Sequence, residues 1–222
     1  LFGIDISNLI DVQLAQQLAT LFGALAIPAS MTGLYYMNRC YRIKARPFWN
    51  HWQVGTSFFG NTLSLGALVS AAVIMPTLML LGAPHQQALL LCAGVLTAGL
   101  TIEAVGHWAH ARAMSRAEHE GGASYYIQTT TFGKTFALRN VLIGANLALA
   151  GALLLTLLMQ GEGGVNGYSL TGWAIVGGVQ IVSALISRAL FYVLVIPTTM
   201  PGAFFWKNKG FEQHARDIGL AN

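Results

Sequence analysis

Five stretches of this chain are long and apolar enough to cross a lipid bilayer, and this property constrains the fold more than any other. A bilayer core of about 30 Å requires roughly 20 apolar residues in a helix. Of the 222 residues, 55% are hydrophobic and only 9% are charged, against about 25% charged in soluble domains. The sequence predicts an all-α fold, a polytopic transmembrane helix bundle. The five predicted spans are residues 12–38, 53–81, 87–111, 135–160 and 172–200.

The 222 residues are predicted to form a single transmembrane domain that ends in a tail, residues 201–222. The polar stretch between the third and fourth spans is too polar to cross the membrane and too short to be a domain. The chain opens with LFGIDISNLIDV, which lacks both an initiator methionine and the pattern of a signal peptide. We therefore expect part of the protein to precede it.

Connections rich in lysine and arginine alternate strictly with connections that contain none. Four follow the first span, none the second, four surround the third connection, none follow the fourth and three lie in the tail. The positive-inside rule then places the N-terminal end outside and the C-terminal tail in the cytoplasm. The prediction is a multi-pass protein of the cell's inner (cytoplasmic) membrane. Because the net charge of +4 is spread over short loops, it does not indicate a nucleic-acid partner.

Two ionisable groups lie deep within the predicted spans. Burying a charged side chain near the bilayer centre costs at least roughly 2.5–3.5 kcal/mol on insertion scales, so each such group needs an explanation. Glu103 lies about two turns from the cytoplasmic end of the third span, with His107 and His110 on the same face. Arg188 lies about three turns from the inner end of the fifth span. Three explanations remain open: a polar helix end whose histidines reach the interface, a structural Glu–Arg pair between two helices, and a polar pocket for a small amphipathic molecule.

A pocket at this depth would include further polar groups from the other spans. Arg139 enters the fourth span, Asn61 lies two turns into the second, and Tyr192 follows Arg188 by one turn. Aromatic side chains surround this level. A quinone headgroup suits such surroundings, and its reduction needs proton donors, which histidine and a carboxylate supply. The candidate quinone-binding residues are Arg188, Glu103, His107, Arg139, Asn61 and Tyr192.

A haem or metal site is not expected in this segment. Haem in quinone-reactive membrane subunits is commonly held by histidines on two helices, whereas His107 and His110 share one. The other four histidines fall in connections or in the tail, and the two cysteines are not spaced as metal ligands. The predicted cofactor is therefore the quinone alone.

Three stretches carry a resemblance to a known family: RCYRIKARPFWNHWQVGTSFFGNTLSLGAL, TTTFGKTFALRNVLIGANLALAG and ALISRALFYVLVIPTTMPGAFFWKNKG. The chain resembles the membrane anchor subunits of dimethyl sulfoxide reductase and related molybdopterin oxidoreductases. The resemblance implies about eight helices, no haem, and a quinol site close to the face where an iron–sulfur subunit docks. The five spans would then be the C-terminal part of an eight-helix bundle. Arg188 and Arg139 match arginines of the family pattern, whereas Glu103 and His107 are inferred from their position alone.

The partners that the resemblance implies are an iron–sulfur electron-transfer subunit and a molybdopterin catalytic subunit, which carries the substrate chemistry. The quinone would be ubiquinone or menaquinone. Because the basic loops are predicted to be cytoplasmic, the soluble subunits should be so too, which favours a sulfite-oxidising relative. The expected docking residues are Arg39, Arg42, Lys44, Arg46, Trp49, His51, Trp52 and Lys207.

Two other functions remain open. In a small transporter or channel, Glu103 and Arg188 would line a pathway across the membrane. Such a route should continue through the outer halves of the spans, which offer little polar lining. A passive assembly anchor would contain no site at all.

Overall fold

The computed structural model describes residues 12–118, 120–159, 167–195 and 217. All regular elements of the described residues are helices. They are α1 (Val12–Tyr41), α2 (Gln53–Leu80), α3 (Gln86–Ser115), α4 (Glu120–Thr129), α5 (Gly133–Met159) and α6 (Gly167–Val193). Five of them are long and apolar enough to cross a membrane, which confirms the all-α transmembrane fold. The chain is therefore embedded in the membrane and crosses it several times.

The helix bounds differ from the predicted spans mainly at the ends. Helix α3 continues to Ser115, four residues beyond the predicted end, because its last turn remains helical although it is polar. Helix α6 begins at Gly167 and ends at Val193, whereas the predicted span ran to residue 200. Pro197 follows this end closely, and a helix rarely continues into the residue before a proline. Residues 196–200 and the predicted tail, apart from residue 217, lie outside the described residues.

The chain divides into two compact units, Leu1–Cys40 and Tyr41–Asn222. The described part of the first unit is helix α1, whose apolar side chains such as Phe22 and Ile27 are exposed. Pro28 lies inside this helix, and the Thr32 hydroxyl donates a hydrogen bond to the Pro28 carbonyl at 2.7 Å. The prediction of a single transmembrane domain stays a prediction.

In the second unit, α2, α3, α5 and α6 form a cycle of neighbouring helices, α2–α3–α5–α6–α2, and the short helix α4 packs on α3 and α5. Buried positions on α5 recur every three or four residues, from Arg139 through Asn146 to Leu157. This is the spacing of a helix with one inward face. The starts of α2 and α5 and the ends of α3 and α6 lie near α4, and we call this end of the unit the α4 end.

Helices α2 and α3 approach each other backbone to backbone. A Cβ atom added at Gly99 would lie 2.7 Å from the Gly60 carbonyl oxygen and 2.8 Å from the Ser64 nitrogen. A Cβ atom at Gly106 would overlap the Thr56 hydroxyl. Small residues at such positions let membrane helices pack closely. The glycines therefore set the separation of the two helices that carry Asn61 and Glu103.

The half of the unit away from α4 has a purely apolar core. It includes Leu89, Leu96, Leu153 and Val176. In this half, an apolar groove of about 610 Å³ runs between α2 and α6, lined by residues such as Leu68, Met75 and Gly177.

Replacing Gly99 by alanine should destabilise the α2–α3 pair, because the added methyl group meets backbone atoms that cannot move aside. We expect a loss of about 1–3 kcal/mol in the free energy of unfolding. The measurement is an SDS titration in mixed micelles, followed by circular dichroism. Gly94→Ala on the same helix is the matched control, since a Cβ there meets nothing within 4 Å. Equal stability of the two variants would contradict the close approach.

Candidate functional site

Every buried polar or charged side chain among the described residues lies in the half of the second unit nearest α4. The deepest are Asn146, thirteen residues after the start of α5, and Gln180, thirteen residues before the end of α6. At 1.5 Å per residue, they lie about 20 Å from the α4 end, close to the middle of each helix. The full set is Gln53, Ser57, Asn61, Ser64, Glu103, His107, His110, Ser124, Gln128, Arg139, Asn146, Gln180, Ser183 and Ser187.

A chain of side-chain hydrogen bonds connects the four long helices at mid-depth. The Asn146 amide on α5 donates to Gln180 Oε1 on α6 at 2.9 Å. The Gln180 amide donates to Ser64 Oγ at 2.9 Å and to Asn61 Oδ1 at 3.3 Å, both on α2. Asn61 in turn donates to Glu103 Oε1 on α3 at 3.1 Å and to the Ser57 carbonyl at 2.8 Å. We call Asn146, Gln180, Ser64 and Asn61 the amide chain.

The amide chain ends at Glu103, which is only 1% exposed. One turn further along α3, His107 places its Nε2 atom 3.5 Å from Glu103 Oε1. At that distance the two groups can form an ion pair, but they are too poorly aligned to form a hydrogen bond. The other ring nitrogen, Nδ1, lies 3.2 Å from the Gln53 amide nitrogen. If that amide donates, the neutral ring carries its proton on Nε2, facing the carboxylate.

His110 fastens the connection between α1 and α2 to α3. Its Nε2 atom donates to the Phe48 carbonyl at 2.9 Å, because a carbonyl only accepts. Its ring also packs edge to face on Phe48, with centroids 4.6 Å apart. His107 and His110 are both buried. The explanation that they reach the membrane interface from a polar helix end therefore does not apply.

Arg139 and Arg188 reach the same region from α5 and α6 without forming an ion pair among the described residues. Arg139 is 5% exposed, and its Nε and Nη2 atoms donate to the side-chain oxygen of Asn140 at 3.2 and 2.8 Å. The Arg188 guanidinium lies over the Phe58 ring, 3.9 Å from its centroid. The structural Glu103–Arg188 pair considered from the sequence is thus not formed. Glu103 pairs with Asn61 and His107 instead.

These groups surround a small cavity at the α4 end. Its volume is about 10 Å³, which is room for roughly one water molecule. Its polar lining comes from all five helices of the second unit: Gln53, Ser57, His107, His110, Gln128, Arg139, Ser187 and Arg188, with Phe48, Leu190 and Phe191 completing the wall. The oxygens of Gln128 (Oε1) and Ser187 (Oγ) have no hydrogen-bond partner among the described residues.

Of the six residues predicted to bind quinone, the structure brings three to the cavity wall: His107, Arg139 and Arg188. Glu103 and Asn61 lie behind the wall in the hydrogen-bonded chain. Tyr192 is elsewhere: it is 50% exposed, and its hydroxyl lies 2.7 Å from the Tyr41 hydroxyl.

An aromatic cluster beside the cavity fixes the connection before α2. The Trp49 indole nitrogen donates to the Phe191 carbonyl at 2.8 Å, and the two rings stack with centroids 5.2 Å apart. Tyr41 packs against both Trp49 and Phe58. The side chain of Trp49 is therefore buried on the inner side of the loop. A docking residue was expected to lie on the surface.

The other residues predicted for docking are mostly exposed. Arg46 is half-buried, with its guanidinium 4.6 Å from the centre of the Trp49 ring. Trp52 is 46% exposed. His51 is half-buried and accepts a hydrogen bond at Nδ1 from the Gln53 backbone N–H, 3.1 Å away. Arg39, Arg42 and Lys44 are exposed, and Lys207 lies outside the described residues.

Several residues of the site were missed from the sequence, namely Gln53, Gln128, Asn146 and Ser187. A signal existed for Ser187, which recurs with Gln180 and Ser183 at intervals of three and four on one face of an apolar helix. Gln128 had no such signal, because α4 is short and lies in a stretch read as a polar connection.

Comparison with protein families, with curated proteins and with solved structures finds no match.

Replacing Gln180 by leucine should weaken the fold, because it leaves the Asn146 amide nitrogen and the Asn61 side-chain oxygen without partners among the described residues and removes a donor to Ser64 Oγ. The expected loss is about 1–3 kcal/mol. The matched control on the same face is Ser183→Ala, since the Ser183 hydroxyl has no partner among the described residues and its removal should be neutral. Denaturant titration in micelles measures both. A loss no larger than that of Ser183→Ala would show that the amide chain does not stabilise the protein.

The start of α2 should loosen on acidification. Burial, and to a smaller extent the positive charge of Arg42, lowers the pKa of His51 below its ordinary 6.5. The stabilising contribution is therefore present above pH 6.5 and is lost as the pH falls through the lowered pKa, because protonation of Nδ1 removes the acceptor for the Gln53 N–H.

Hydrogen exchange of residues 51–56, corrected for the intrinsic pH dependence of exchange, measures this loosening. His51→Asn retains a side-chain acceptor that does not titrate, and its protection should not change over the same range. A pH response of equal size in this variant would assign the effect to another group.

Proposed function

We propose that this chain is the quinone-reactive membrane anchor subunit of a molybdopterin and iron–sulfur oxidoreductase. In this role it passes electrons between an iron–sulfur subunit and a membrane quinone. The observation that carries the proposal is the one-sided site: buried ionisable and amide groups converge at the α4 end, beside a loop with exposed basic residues.

The chemistry of quinone turnover matches the groups present. Reduction of a quinone to a quinol takes up two electrons and two protons, and the protons must come from groups within hydrogen-bond reach. Glu103 and His107 form a carboxylate–imidazole pair in which either member can hold a proton. Arg139 and Arg188 supply positive charge beside the carbonyl oxygens, where negative charge develops as electrons arrive.

A quinone ring is larger than the cavity of about 10 Å³, since a cavity known to bind benzene has a volume of roughly 150 Å³. Binding therefore requires side chains to move. Arg188 is the side chain most free to move, because it is half-buried, lies over the Phe58 ring and forms no hydrogen bond or ion pair with the described residues. The apolar groove between α2 and α6, of about 610 Å³, suits an isoprenoid tail.

Docking of the iron–sulfur subunit is proposed at the loop before α2. Arg42 and Lys44 are exposed there, and such charges steer an acidic partner surface into register. Trp49 supports this loop from beneath through its bond to Phe191. The cytoplasmic location of the partners and a sulfite-oxidising catalytic subunit are proposed on the charge bias of the loops and on the family resemblance.

The transporter alternative is disfavoured by the distribution of polar side chains. A pathway across the membrane needs polar lining in both halves, whereas the buried polar side chains of the described residues stop at Asn146 and Gln180. The passive anchor differs from the proposal in lacking quinone turnover, so activity measurements separate the two.

Arg139→Gln should reduce quinone turnover and the affinity for a short-chain ubiquinone or menaquinone analogue, and Glu103→Gln should reduce turnover, because Glu103 lies behind the wall and exchanges protons through His107. A hydrogen bond to a charged group is worth about 1.5–3 kcal/mol, which corresponds to roughly a 10- to 100-fold loss. Turnover is measured on the purified complex and binding by titration calorimetry. Arg112→Gln is the control, because Arg112 is exposed near the same end, over Trp108, and does not line the cavity.

Unchanged turnover in both site variants, with the complex assembled, would rule out this quinone site. Assembly is measured separately by co-purification of an iron–sulfur protein. A chain that purifies with quinone activity but never with an iron–sulfur protein would contradict the anchor-subunit assignment and leave the site itself standing.

A further inference from the structure

Both arginines at the cavity have donor groups that the described part of the protein leaves unused. Arg139 uses Nε and Nη2 for its bonds to Asn140, which leaves Nη1 without an acceptor there. Arg188 packs on Phe58 but donates to no side chain or carbonyl of the described residues. A guanidinium group carries five N–H donors and no acceptor, so these groups can be satisfied only by water or by an acceptor ligand.

The charges around the cavity do not balance. Arg139 and Arg188 contribute two positive charges, and Glu103 contributes one negative charge, from behind the wall. With His107 and His110 neutral, the sum is +1, and protonation of either histidine raises it. No aspartate or glutamate of the described residues lines the cavity. Buried charge without a counter-charge is strongly unfavourable in a low-dielectric surrounding, so an anion with one negative charge would neutralise the site.

The remaining lining suits an anion in both chemistry and size. The Ser187 hydroxyl is 5% exposed and has no partner among the described residues. It is adjacent in sequence to Arg188, and both line the cavity. The volume of about 10 Å³ admits a particle close to the size of a water molecule. A sulfate or phosphate, with four oxygens, is much larger.

We propose that this cavity binds one small monovalent anion of the size of chloride, held by Arg139, Arg188 and the Ser187 hydroxyl. The ion enters from the α4 end, where Arg188 is only half-buried. The site does not depend on the proposed quinone function, because its charge balance and its size are properties of the cavity as it stands. A quinone headgroup that uses the same arginines would have to displace the anion.

The test is a chloride titration of thermal stability on the purified protein, free of quinone. Chloride replaces gluconate at constant ionic strength, and unfolding is followed by tryptophan fluorescence. We expect the midpoint temperature to rise with chloride, by roughly 3–6 °C at ten times the dissociation constant. Sulfate stabilises proteins generally by exclusion from their surface, so its effect should be the same in the unmodified protein and in Arg139→Gln. Arg139→Gln should abolish the chloride response, and Arg112→Gln should retain it.

An undiminished chloride response in Arg139→Gln, or a sulfate response that is lost in this variant together with the chloride response, would overturn the proposal. If Arg139→Gln does not fold, Arg188→Gln and Ser187→Ala decide the matter. Each should raise, several-fold, the chloride concentration that gives half of the maximal stabilisation. If neither variant changes this concentration, the proposal is also overturned. Because no quinone is present, a failed chloride response leaves the quinone proposal unaffected, and loss of quinone turnover leaves the anion site unaffected.

Discussion

The hydrogen bond from Asn61 to Glu103 is possible only because α2 and α3 lie backbone against backbone. Asparagine is short, and it bridges two helices only where the helices touch. Gly60 and Gly99 create that contact, since a Cβ on either would lie 2.7 Å from the carbonyl oxygen of the other. In a membrane, close packing of small residues replaces the hydrophobic effect as the force that joins helices. The position of the buried carboxylate thus follows from two glycines.

From this contact the second unit separates into two halves with different roles. The half away from α4 is packed with leucine, valine and alanine side chains and contributes stability without chemistry. In the other half, the amide chain pairs most of its donors internally and leaves the arginines with donors to spare. Buried polar groups are ordinarily hydrogen-bonded. Several of the groups that depart from this rule, among them Ser187 and Gln128, line the cavity together with the two arginines, and this concentration of unused hydrogen-bonding groups makes the cavity the candidate site.

Hydropathy and charge predicted well how deep each residue lies within its span. They predicted poorly which neighbours each side chain faces. The five spans followed from length and composition, and the burial of Glu103 and Arg139 followed from their places within them. Tyr192 lies at the expected depth, but it faces Tyr41 rather than the cavity. Helix α4 was not predicted as an element, because EGGASYYIQT is short and rich in glycine and polar residues, and it is helical where it packs on α3 and α5.

The loop before α2 and the cavity are mechanically connected. Two side-chain hydrogen bonds tie this loop to α3 and α6: His110 donates to the Phe48 carbonyl, and Trp49 donates to the Phe191 carbonyl. His110 and Phe191 both line the cavity, as does Phe48. Whatever displaces these side chains when the cavity fills must therefore also shift the anchors of the loop. The loop that carries the exposed basic residues and the wall of the cavity are thus held by the same side chains.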